Sequence, residues 1–106
     1  MDNFVVIYKI LKALEQSMDF DEFDSNRISP SVLGVSKERR NKLLIEMQRE
    51  GYIDGLIVEH WLGTSSSCIE EPIKPTITLK GLEYLSENST MRKAANLVKG
   101  IAEIVF

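Results

Sequence analysis

A chain of 106 residues, 43% of them hydrophobic, is long enough to bury about two thirds of its unfolded surface around one core without disulfide or metal staples. Its formal net charge of −3 excludes a globally basic nucleic-acid binder, so any affinity for phosphate has to come from a local patch. The single cysteine, Cys68, excludes an internal disulfide, and no uncharged apolar window approaches the roughly 20 residues that cross a bilayer.

No basic start with a long apolar run and a cleavage site opens the chain, so one cytoplasmic domain over 1–106 is expected, with no membrane partner. The first helix is expected over 3–17, capped by Asp2 or Asn3, with Phe4, Ile7, Leu11, Leu14 and Met18 on one stripe. Val5, Val6, Tyr8 and Ile10 widen that stripe, which implies burial between two neighbours. The acidic stretch over 19–26 reads as a solvated loop. Ser29 before Pro30 marks a short helix over 30–33, ended by Gly34, and Ser36 caps a second helix over 37–50, closed by Gly51. Two helices separated by Gly-Val-Ser form a helix-turn-helix candidate.

Aromatic and β-branched residues then predict a strand over 52–61, and the alternation of Ile73, Ile77 and Leu79 with Lys74, Thr76 and Thr78 predicts its partner over 73–78. Pro75 confines that partner to a sheet edge or an open side, and the ten or so residues between the strands read as a polar connector. A helix over 79–87 follows, capped by Thr78, with Leu79, Leu82 and Leu85 spaced as a stripe. A last helix over 90–105 carries Met91, Ala94, Ala95, Val98, Ile101, Ala102 and Val105, with Leu97 and Ile104 on its flank.

Helix, short helix, helix, hairpin, helix is the order of an α+β winged helix, here with an extra C-terminal helix. Gly81, costly in a helix by about 0.5–1 kcal/mol relative to alanine, then has a reason: without a Cβ the strand leaving the wing can lie close against the next helix. The pair REGYIDG over 49–55 and TITLKGLEYLSEN over 76–88, with the closing MRKAANLVKGIAEI, resembles the YjcQ family of Gram-positive bacteria and their phages over nearly the whole chain. The resemblance implies the winged-helix fold and a possible prophage origin, and it brings no activity, substrate or catalytic residue. Helical spacing puts Arg40 on the same stripe as Leu44 and Met47, with Gln48 facing away. In such relatives the position of Arg40 is expected to be apolar, so here the side chain has to snorkel or the helix has to start elsewhere.

KERRNK over 37–42 carries a net charge of +3, leaving −6 for the rest of the chain. In a winged helix this segment enters the major groove, so Lys37, Arg39, Arg40, Asn41 and Lys42 are candidate contacts to double-stranded DNA, with Lys74 reaching phosphate from the wing. Bases in a helix's first turn oppose the macrodipole by about 0.3–1 kcal/mol each, a cost that an anionic partner reverses. The competing account is a solvated face with Glu38 and Glu46 as counter-charges. Trp61 serves as a hydrophobic plug at the wing base or as a contact for a protein partner. Leu97, Ile101 and Ile104 form a homodimer face, or the last helix folds back to complete a monomer.

No catalytic, cofactor or metal site is expected. His60 has no ligands at metal spacing, Cys68 lacks an activating base, and the carboxylates of DFDEFD stand in open solvent. The expected function is DNA binding or transcriptional regulation rather than enzymatic. A protein-interaction module that keeps the fold without binding DNA is the alternative.

Overall fold

The computed structural model describes residues 2–60 and 67–88. Trp61, Leu97, Ile101 and Ile104, with the helix expected over 90–105, lie outside the described residues. Helices α1 (Asn3–Gln16), α2 (Pro30–Leu33), α3 (Lys37–Arg49) and α4 (Leu79–Glu87) enclose the core with four short strands: β1 (Ile53–Asp54), β2 (Val58–His60), β3 (Ser67–Ile69) and β4 (Thr76–Ile77). The order and the antiparallel pairing are compatible with a winged helix.

Each helix begins at a residue chosen for its side-chain oxygen. Asp2 Oδ1 accepts from Phe4 N at 2.7 Å, Ser29 Oγ from Val32 N at 3.3 Å, Ser36 Oγ from Arg39 N at 3.1 Å and Thr78 Oγ1 from Gly81 N at 3.1 Å. Each bond satisfies one of the free amides of a first turn. Gly34 (φ 72°) and Gly51 (φ 88°) end α2 and α3 in the left-handed region, which glycine enters without steric cost.

Helix α1 runs through the middle of the fold and touches α2, α3, α4 and β4. Its buried face is Val5, Val6, Tyr8, Ile10, Leu11, Ala13 and Leu14, while Phe4 and Met18, at the two ends of the expected stripe, are exposed. The chain tightens into a 3-10 turn at Ser17–Asp19 just after the helix. Ile28, Leu33, Leu44, Met47, Ile53, Leu56, Ile69, Ile73 and Leu85 complete the core among the described residues. Burying a Leu or Ile side chain contributes about 1.5–3 kcal/mol, so this cluster is the main source of stability.

The strand pairing differs from the expected hairpin. Strand β1 pairs with β4 (Ile53 with Ile77, Asp54 with Thr76), but β2 pairs with β3 (Val58 with Ile69, Glu59 with Cys68, His60 with Ser67). The partner of the second half of the rising strand therefore lies inside the segment expected to be an unpaired connector. Between the two ladders, residues 55–57 face the longer stretch 70–75, so the returning chain carries three surplus residues. Pro72 and Pro75 lie in that stretch and have no N–H to donate, which is why one continuous ladder does not form there.

Gln48 of α3 spans the corresponding gap on the outgoing side. Its Nε2 donates to the Leu56 carbonyl at 3.1 Å and its Oε1 accepts from Leu56 N at 2.8 Å, so the side chain does for a buried residue what a ladder neighbour otherwise does. Helical spacing alone places Gln48 on the outer face. A Gln48→Ala protein is expected to lose about 1–3 kcal/mol, because both Leu56 backbone groups are left unpaired. The measurement is a lower urea midpoint with an unchanged m-value.

On α4 the expected leucine stripe is shifted. Leu79 is 80% exposed, and the buried positions are Gly81 and Leu85. Tyr84 packs edge-on against Tyr52 at 5.3 Å between ring centroids, and burial, with Tyr52 and Asp2 nearby, pushes its phenol above the ordinary value. Tyr84 is thus a neutral packing group at pH 7. Among the described residues no helix is long and apolar enough to cross a membrane.

Candidate nucleic-acid interface

Helix α3 follows α2 after the three-residue turn Gly34-Val35-Ser36, and its core face is Arg40, Leu44 and Met47. Those three residues recur at spacings of four and three and so fix the rotation of the helix about its axis. Lys37, Arg39 and Lys42 are left exposed in its N-terminal half. Arg39 and Lys42 lie one turn apart and, with Asn3, Ser36, Glu38 and Leu43, line a shallow cavity of about 360 Å³ where α3 meets the start of α1.

The six candidate DNA contacts fall into three groups. Arg39, Lys42 and Lys74 are exposed, and none of their side chains makes a hydrogen bond or ion pair among the described residues. Lys37 is exposed but stands 3.9 Å from Glu71 Oε1. Arg40 is turned inward, and Asn41 is half-buried beside it. Arg40 is only 5% exposed; its Nε and Nη2 donate to Asn41 Oδ1 at 3.0 and 2.9 Å, and its Nη1 donates to the Ile28 carbonyl at 3.4 Å. Nη2 also meets Glu71 Oε1 at 3.3 Å.

A guanidinium with all three nitrogens engaged inside the fold is not available to a base edge, and the Asn41 oxygen that would read adenine is occupied by it. Of the expected groove contacts, Arg40 is therefore held inside the fold, while the half-buried Asn41 holds it there through Oδ1. The core stripe does include Arg40, and burial is achieved by hydrogen bonding rather than by snorkelling.

The outward face of α3 is mixed in charge. Glu38 stands beside Arg39 and Lys42, and farther along Arg49 Nη1 is bound to Glu46 Oε1 at 2.5 Å. The basic excess is therefore confined to the first half of the helix, the end from which a recognition helix meets DNA. Glu71 is the neighbour of α3 that helical spacing does not reveal. It lies in the surplus of the returning chain, 31 residues from Arg40, and no local pattern points to that contact.

A family model described as YjcQ protein matches residues 8–104. No curated protein and no solved structure matches the chain.

Proposed function

The chain belongs to the YjcQ family, and we propose that it is a winged-helix protein of the cytoplasm that binds double-stranded DNA, in a regulatory rather than an enzymatic role. The observation that carries this reading is the pair Arg39 and Lys42, exposed on one face of α3 one turn apart and without an internal partner among the described residues. Two unpaired cations on the leading half of the second helix of a helix-turn-helix lie at the right place for backbone phosphates or guanine. Lys37 adds a third charge at the first position of the helix, and exposed Lys74 adds one from the returning strand side.

The test is a titration of labelled duplex at about 50 and 200 mM salt with wild-type protein and an Arg39→Ala/Lys42→Ala double variant. Wild type is expected to bind with an affinity that falls as salt rises. The double variant is expected to bind about tenfold or more weakly at the lower salt, with a salt slope shallower by about 1.8, two phosphate contacts having been removed. No binding by wild type at about 50 mM salt removes the reading.

The rival reading, a protein-interaction module, is favoured by the net charge of −3 and by exposed large apolar side chains at Phe4, Met18, Phe20, Val32, Ile57 and Leu79. The same titration separates the two, since such a module shows no affinity for the duplex that depends on Arg39 and Lys42.

A further inference from the structure

Among the described residues, Glu71 is the acid outside the proposed DNA-binding helix that forms ion pairs with it. The three surplus residues between the two ladders take the returning chain out of strand pairing at the point where Glu71 occurs. From there one carboxylate oxygen reaches cations on successive turns of α3, Arg40 at 3.3 Å and Lys37 at 3.9 Å. The carboxylate is 53% exposed, so it stands at the surface, where an approaching phosphate would also stand.

The hydrogen bonds of Arg40 to Asn41 and to the Ile28 carbonyl do not depend on Glu71. Without it, Nε and Nη2 still have Asn41 Oδ1, and Nη1 still has the Ile28 carbonyl. The pair with Lys37 is exposed on both sides and therefore contributes little to folding. Its consequence falls on binding instead: it fixes a negative charge beside the first residue of α3 and neutralises one of the three exposed cations there.

Building on the DNA-binding reading, we propose that Glu71 is an internal competitor for the nucleic-acid backbone, holding Lys37 and occupying an anion position that duplex DNA has to take over. The wild-type protein then binds below the limit its basic residues allow, and release of Glu71 raises that limit.

The experiment compares wild type, Glu71→Gln, Glu71→Ser and Lys37→Ala/Glu71→Gln in duplex titrations across a salt series, with thermal melts of each. Both single variants are expected to melt near wild type and to bind about three- to tenfold tighter at about 50 mM salt, with a salt slope steeper by about 0.9. Adding Lys37→Ala is expected to cancel the gain. Binding by wild type that either folded single variant fails to improve overturns the competitor. So does a gain that survives loss of Lys37, because the carboxylate is then not acting through that residue. No binding by any of the proteins overturns the DNA reading itself, and the competitor with it.

Discussion

A Gly81→Ala protein is expected to be less stable than wild type by about 2 kcal/mol, even though alanine is the better helix former by up to about 1 kcal/mol. A Cβ at Gly81 overlaps the Tyr52 carbonyl oxygen and lies 2.7 Å from Ile77 Cγ1. A flexible side chain can turn aside from such a contact, but the Tyr52 carbonyl cannot. It accepts from Thr78 N at 3.2 Å, and Tyr52 N is itself bound to the Met47 carbonyl at 2.9 Å. Relief therefore requires α4 to retreat from the exit of α3, which stretches the bond from Thr78 Oγ1 to the Gly51 carbonyl at 2.5 Å and that from Lys80 Nζ to the Glu50 carbonyl at 2.7 Å. Overpacking costs about 1–3 kcal/mol and here falls at or above the upper end, because the added Cβ meets fixed backbone. A thermal melt is expected to show a fall of roughly 8–16 °C for a domain of this size. A melting temperature at or above wild type means that helix propensity outweighs the close approach, and the account of Gly81 fails.

That close approach was legible in the sequence because its signal is local: a glycine three residues after a capping threonine, at the start of a helix entered directly from a strand. The same holds for Ser29 with Pro30, for Ser36, and for the two glycines that end α2 and α3, since caps and left-handed turns depend on one or two residue types within a turn of chain. The strand pairing was not legible in this way. Ser67, Cys68 and Ile69 follow two serines and show no alternation of their own, and the register that pairs them with Val58–His60 is fixed across the chain, by where Pro72 and Pro75 interrupt the ladder. Helical spacing correctly placed Arg40 on the core stripe, yet spacing cannot name an acceptor, and the acceptors are Asn41 Oδ1, the carbonyl of Ile28 and a carboxylate in the surplus of the returning chain. The candidate site was thus legible as a basic helix, while the division of its charges into exposed, paired and buried depended on contacts made after folding.

Arg40→Ala is expected to cost about 2–4 kcal/mol, and Arg40→Met about 1 kcal/mol or less, a contrast that tests what the buried guanidinium contributes. Truncation to alanine opens a cavity beside Leu44 and Met47, removes the donor to the Ile28 carbonyl and leaves Glu71 without its closer cation. Methionine refills most of the volume and restores packing on the stripe. Glu71, being half exposed, then returns to water at little cost, as does the half-buried Asn41 Oδ1, so the buried cost falls mainly on the Ile28 carbonyl left short of a donor. The charge itself is accordingly worth little to stability, in line with the general finding that a buried ion pair can be replaced by apolar volume when its partner is able to rehydrate. Urea unfolding in low and high salt reads both parts of the argument. The alanine deficit is expected to persist at about 0.5 M salt, because cavity and hydrogen-bond terms are not screened, whereas any part due to the Glu71 pair fades with ionic strength. Equal losses for alanine and methionine would place the contribution in the guanidinium's hydrogen bonds, and Arg40 would then hold α3 to Ile28 by polar contact rather than by filling the core.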